Sequence, residues 1–311
     1  MKHKIQWLNL PGYKGETWNP IIGCSKVSDG CKNCYAEKMA ARVYHCTSNR
    51  DNSATFLNYS DVLTDDLKWN NNTRFIPESL TIPSQWRQPR IVFVCSMGDL
   101  FHESASFQQI SAVFSVMADC DQHIFIVLTK RPERLVQFAE WKSWANDVQN
   151  IPWRPSANVW LGVTAENQEQ AMIRIPYLIS IPAAVKFVSI EPMLSQVDLD
   201  DTLQYTLKHH AGGLKNCLSW VICGGESGHN ARPLHPDWVR SLRNQCQDSG
   251  APFFFKQWGE WMPHGTIRNY NFLNPKKEKV AGVDVMVKVG KHRSGNLLDG
   301  VKYEEYPIIN L

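Results

Sequence analysis

Short apolar runs that end at once in polar or glycine residues constrain this chain most. Ile91 to Cys95 leads into Ser96-Met97-Gly98-Asp99, and Ile124 to Leu128 into Thr129-Lys130-Arg131. Val159 to Val163 leads into Thr164-Ala165-Glu166-Asn167, and Lys186 to Ile190 into Glu191-Pro192. Trp220 to Cys223 leads into Gly224-Gly225-Glu226-Ser227, and Phe253 to Phe255 into Lys256-Gln257-Trp258. Continuous apolar runs bounded this way suit strands buried on both faces, as in parallel sheets.

The segments between them carry helix signals. Phe107, Ile110, Phe114 and Met117 keep helical spacing after Ser104 or Ser106, either of which suits a cap. Pro132 suits the first turn of a helix carrying Leu135 and Phe138. Pro236 opens another, with Gly250 just past its end. A short strand near Thr17 to Ile22 adds a seventh unit. Alternating strands and helices predict an α/β fold with a parallel sheet: a complete or partial β/α barrel over residues 1–258, with a doubly wound open sheet as the alternative. In either fold the polar residues above stand at the carboxyl ends of strands, where ligands bind. Residues 46–90, rich in Asn, Asp, Thr and Pro, read as an insertion, and residues 259–311 as a C-terminal extension.

At 311 residues and 43% hydrophobic, the chain can bury a large core. A net charge of +3 does not by itself argue for nucleic acid. The N-terminus has no apolar run of signal-peptide length, and no stretch approaches the roughly 20 apolar residues of a membrane span. A soluble, cytoplasmic protein with no membrane partner is expected. In that setting the 9 cysteines suit metal binding or catalysis better than disulfides.

Cys24, Cys31 and Cys34 form a CxxxxxxCxxC pattern flanked by Gly23 and Gly30. The CxxC pair lets two thiolates approach one metal centre from a tight turn, and the longer loop brings round the third. A helix starting at Cys34 and running to Tyr44 favours thiolate at its N-terminus. Structural zinc usually takes four protein ligands, whereas three cysteines leave a position open, as in an iron–sulfur cluster with one iron free. Zinc completed by His45, Cys46 or a distant histidine is the alternative. Cys95, Cys120, Cys217, Cys223 and Cys246 lie in apolar segments and read as core. His102, His209, His210, His229 and His235 lack ligand spacing among themselves.

The stretches TWNPIIGCSKVSDGCKNCYAEKMA, SMGDLFHE, LTKRPERL, VWLGVTAENQ, RIPYL, FVSIEPML, WVICGGESG, ARPLHPDWVRSLRNQC and PFFFKQWGEW together resemble a phage-associated three-cysteine-motif family, a domain of unknown function, over nearly the whole chain. That family is similar in outline to radical S-adenosylmethionine enzymes, in which three cysteines after the first barrel strand hold a [4Fe-4S] cluster. The usual spacing there is CxxxCxxC, with an aromatic before the last cysteine. Here the first gap is longer and Tyr35 follows Cys34. The Gly-Gly-Glu motif, normally at the second strand, stands here at the sixth predicted run. The resemblance implies S-adenosylmethionine as cofactor and an electron donor as partner. It implies that Ser96, Gly98 and Asp99 receive the cofactor's amino group and that Lys130 or Arg131 pairs with its carboxylate. Thr164, Glu166 and Asn167 would contact ribose, and Gly224 and Gly225 would admit a ligand closely. Glu191, Glu226, Lys256 and Gln257 would face the substrate.

Each residue also has a structural reading. Asp99 suits a helix cap, Glu166-Asn167 a turn, and Lys130 and Arg131 a charged helix start. The resemblance makes a nucleic acid or a phage or host macromolecule the candidate substrate. Trp258 and Trp261 are the candidates for stacking on bases. The rival to an enzyme is a zinc or cluster module that recognises nucleic acid or a partner protein.

Overall fold

The expected runs become strands of one sheet. β1 (Lys14–Trp18) is followed by two short strands, β2 (Ile21–Ile22) and β3 (Arg74–Phe75), and then by β4 (Arg90–Val94), β5 (Ile124–Thr129), β6 (Val159–Thr164), β7 (Val185–Ile190), β8 (Trp220–Gly224) and β9 (Phe253–Gln257). The computed structural model describes residues 5–48, 54–145, 153–206, 217–266, 277–280 and 284–308; His209 and His210 fall outside them. Strand order in the seven-stranded sheet is β1-β4-β5-β6-β7-β8-β9. Chain order is kept across the sheet, whereas a doubly wound sheet reverses at a switch point. This parallel α/β sheet is compatible with a partial β/α barrel. The strand expected near Thr17 to Ile22 is split: β1 pairs with β4, while β2 pairs antiparallel with β3. Pro20, which has no amide N–H, lies at the break.

The chain divides into two compact units, Met1–Val163 with Tyr177–Lys186, and Thr164–Pro176 with Phe187–Asn310. In the first, α1 (Tyr35–Ser48), α2 (Ala54–Ser60), α3 (Phe107–Asp119) and α4 (Pro132–Ala145) accompany β1 to β6. Ser106 caps α3 in a capping box with Gln109, and Pro132 opens α4, both set by local chemistry. Phe101, Phe114 and Phe138 pack ring to ring in the core. The segment expected as an insertion contributes Tyr59, Val62, Leu63 and Trp69 to a second cluster. It contains Ile22, Ala36, Ala40 and Met97, with Cys24 and Cys34 packed against it.

α5 (Gln168–Ser180) follows β6 in the chain. The second unit holds α6 (Leu199–Thr206) and α7 (Pro236–Ser249), the latter closed by Gly250 in the left-handed region at φ 70°. Its C-terminal part is more regular than the sequence suggested. β10 (Trp261–Pro263), β11 (Lys277–Val280) and β12 (Asp284–Lys288) form an antiparallel sheet. The one-turn helix α8 (Lys291–Ser294) and the hairpin β13 (Leu297–Leu298) and β14 (Val301–Lys302) follow. This segment lies along β9, where Phe255 N donates to Tyr303 O at 2.9 Å. Among the described residues no helix is long and apolar enough to cross a membrane. Cys95, Cys120, Cys223 and Cys246 are buried as expected, and Cys217 is partly buried.

Candidate functional site

In the first unit the cysteine loop leaves β1 and is fastened to the end of β4. Asn19 Oδ1 accepts from Ser96 Oγ at 3.1 Å and from Met97 N at 2.9 Å. Gly23 N donates to Met97 O at 3.0 Å. Gly98 is needed at this crossing, since a Cβ there would lie 2.8 Å from Gly23 O. Cys24 follows directly. Cys31 closes a 3-10 turn, and Cys34 immediately precedes α1, its carbonyl accepting from Lys38 N at 3.5 Å. The helix therefore begins one residue later than expected and runs four beyond Tyr44.

Arg131 braces the loop. Its Nη1 lies 3.6 Å from Cys24 Sγ and 3.1 Å from Asp99 Oδ2. Its Nε donates to Glu103 at 2.9 Å, and its Nη2 donates to Ser25 Oγ at 2.6 Å and Ser25 O at 3.2 Å. Asp99 also accepts from Thr129 Oγ1 at 2.7 Å, Phe101 N at 3.0 Å and Lys130 N at 3.2 Å. Asp99 and Arg131 are thus a buried, hydrogen-bonded pair joining β4, β5 and the cysteine loop. Lys130 makes no side-chain hydrogen bond or ion pair among the described residues. Burial, with the Asp99 charge adding to it, pushes the Cys24 thiol up to about 12, and the Arg131 guanidinium opposes this.

His102 is buried, and burial lowers its proton affinity below the ordinary 6.5. Its Nδ1 accepts from Ser104 N at 3.1 Å, so a neutral ring carries its proton on Nε2, 2.9 Å from Ser25 Oγ. Well above pH 6.5 the ring is neutral in the folded and the unfolded chain alike. Below it, the unfolded chain takes up a proton that the folded chain resists, so stability falls with pH. Urea midpoints measured on both sides of 6.5 should show this decline, and His102→Asn should reduce its slope. An unchanged slope in the variant would remove His102 from the effect.

Among the described residues no three His, Cys, Asp or Glu side chains are grouped to hold a single metal ion. The thiols of a four-iron cluster bind separate irons, so one-ion spacing is not their requirement. Three partly buried thiols, one at a helix N-terminus and one beside a guanidinium, fit the thiolate chemistry of such a cluster.

In the second unit, Glu166 is fully buried and accepts from Arg174 Nη1 at 2.9 Å; the same nitrogen reaches Thr164 O at 2.8 Å. Asn167 Oδ1 accepts from Gln170 N at 2.9 Å and caps α5. Glu226 is gripped by Arg232, with Nη2 to Oε1 at 2.7 Å and Nε to Oε2 at 3.0 Å. Gly225 is backed by protein: a Cβ there would lie 2.0 Å from Trp258 O. Gly225→Ala is therefore expected to cost about 1–3 kcal/mol in urea unfolding. A loss under about 0.5 kcal/mol would mean the neighbouring backbone yields freely.

Lys256 Nζ donates to Glu191 Oε1 at 2.6 Å, and neither side chain is fully buried. Gly224 lies between their strands, with the Glu191 carboxylate 3.3 Å from where its Cβ would stand. Gln257 Nε2 donates to Ser227 Oγ at 2.9 Å, while its buried Oε1 has no partner among the described residues. Trp258 and Trp261 are corrected. Both are buried, their indole N–H groups donating to Leu297 O at 2.9 Å and Ala231 O at 2.7 Å, so neither face is open to a base. They anchor the C-terminal segment.

Ser25, Glu103, Thr129, Arg174 and Arg232 were not anticipated as parts of these constellations. Arg174 and Arg232 stand near their carboxylate partners in sequence, and Thr129 Oγ1 accepts from Arg131 N two residues on, whereas Ser25 and Glu103 meet Arg131 from far along the chain. No curated protein and no solved structure matches the chain. Residues 2–307 match the family described as "Protein of unknown function (DUF5131)", and the chain belongs to that family.

Proposed function

We propose that the protein is a radical S-adenosylmethionine-type enzyme in which Cys24, Cys31 and Cys34 hold a [4Fe-4S] cluster. The observation that carries the reading is the cysteine loop. It follows the first strand of a parallel sheet, and its first thiol is met by a guanidinium from the end of β5. When bound, such a cluster supplies one-electron chemistry and an iron open to S-adenosylmethionine. The chain's own part is positional. Arg131 and Asp99 fix the loop. Lys130, whose ammonium makes no hydrogen bond or ion pair among the described residues, is the cation for the cofactor's carboxylate. Glu191 and Lys256 present a hydrogen-bonded acid and ammonium at the strand ends of the second unit. The reading requires an external electron donor, and a nucleic acid or a phage or host macromolecule as substrate.

The test is anaerobic purification and reconstitution, with iron, sulfide and zinc quantified. Reduced protein is then mixed with S-adenosylmethionine and assayed for 5′-deoxyadenosine. Iron and sulfide in cluster proportion together with 5′-deoxyadenosine are expected. Stoichiometric zinc without iron would overturn the reading in favour of a metal-binding module, and a cluster without cofactor cleavage would overturn the enzymatic part.

A further inference from the structure

We propose that the Ser25 hydroxyl donates a hydrogen bond to a sulfur of the iron–sulfur centre on Cys24, Cys31 and Cys34 and thereby raises its reduction potential. The inference rests on the cluster reading above and adds a residue that acts on the centre without ligating it.

Ser25 Oγ has two lone pairs and one proton. Arg131 Nη2 donates to this oxygen at 2.6 Å, and His102 Nε2 lies 2.9 Å from it. A guanidinium carries donors only, so Arg131 cannot take the serine proton. His102 cannot take it either. Its Nδ1 accepts from Ser104 N at 3.1 Å, which places the proton of the neutral ring on Nε2. In the charged ring both nitrogens are donors. Ser25 Oγ therefore receives two hydrogen bonds, while its own O–H finds no acceptor among the described residues. Donors to the oxygen also polarise that O–H and strengthen it as a donor.

The unused proton belongs to the residue beside Cys24. Two nitrogens of one guanidinium meet the two groups: Nη1 lies 3.6 Å from Cys24 Sγ, while Nη2 holds Ser25 Oγ. The Cys24 thiol donates to Ser25 O at 3.4 Å, and Nη2 donates to the same carbonyl at 3.2 Å. A ligating cysteine is a thiolate, so on ligation Cys24 gives up that donation and its sulfur becomes an acceptor. Arg131 is itself matched by Asp99 at 3.1 Å and Glu103 at 2.9 Å. What Ser25 adds is thus a directed neutral donor. Hydrogen bonds to the sulfurs of a cluster favour its more negative, reduced state and raise its potential.

The test reconstitutes the full-length wild type, Ser25→Ala, Ser25→Gly and Ser25→Thr without S-adenosylmethionine. Redox titration is followed by the EPR signal of the reduced cluster. Ser25→Ala and Ser25→Gly should each shift the equilibrium about tenfold toward the oxidised cluster, a fall of about 59 mV for one electron. Ser25→Thr keeps the hydroxyl and should stay near the wild type. Deuterium ENDOR after exchange into heavy water gives a readout that a packing role would not move. The wild type and Ser25→Thr should show an exchangeable deuteron coupled to the cluster that both hydroxyl-free variants lack. An unchanged potential in the hydroxyl-free variants, a coupling that survives in them, or a wild type without that coupling overturns the proposal. A difference that appears only once S-adenosylmethionine is added assigns the hydroxyl to the cofactor and overturns it too. Failure of the wild type to take up iron and sulfide fails the cluster reading itself, whereas full iron with an unmoved potential fails this inference alone.

Discussion

Reconstituted chains carrying Cys24→Ala, Cys31→Ala or Cys34→Ala are each expected to contain no cluster. With three cysteine ligands, removal of one leaves two, too few to retain four irons. Cys24 is the most informative of the three. Its thiol is held up to about 12 by burial, so a free thiolate there is costly in the metal-free protein. Binding a cationic centre reverses that cost, and Arg131 sits on the same sulfur to help bear the charge. Iron and sulfide content with the visible absorption of the oxidised cluster are the readouts. Cys120→Ala alters a core cysteine and should retain wild-type iron. Full iron in Cys24→Ala would remove that residue from the ligand set and the proposed centre with it.

Arg131→Met is expected to destabilise the folded chain by about 3–5 kcal/mol, the usual result of removing one partner from a buried ion pair. Asp99 would keep Thr129 Oγ1 and two backbone amides but lose its counter-charge. Ser25 would lose the guanidinium that holds both its carbonyl and its hydroxyl. Urea unfolding should show a lower midpoint at unchanged slope. The double variant Arg131→Met with Asp99→Asn should recover part of the loss, because the orphaned charge is then gone. A single-variant loss under about 1 kcal/mol would show that water reaches Asp99 and that the pair is not a brace.

Much of the scaffold was legible because its determinants are local. Ser106 with Gln109, Pro132, and Pro236 with Gly250 each set a helix end through groups within a few residues. The apolar runs announced their strands because strands buried on both faces need uninterrupted apolar residues. The cysteine loop was legible as a spacing. Its surroundings were not, since Arg131 reaches Cys24 across 107 positions and Asp99 across 32. Trp258 and Trp261 looked available because composition does not reveal that backbone carbonyls await their N–H groups.

By itself the sequence determined the alternation of strands and helices, the three cysteines on one loop, and the polar or glycine residue at each strand's carboxyl end. Periodicity, caps and spacing are properties of neighbouring residues, so no folding is needed to read them. Only the tertiary structure decided which of those polar residues are engaged. It closed Glu166 with Arg174 and Glu226 with Arg232, packed Gly225 against Trp258, and paired Lys256 with Glu191. Partnership between charges depends on distance and burial, and distant segments acquire both only when the chain packs.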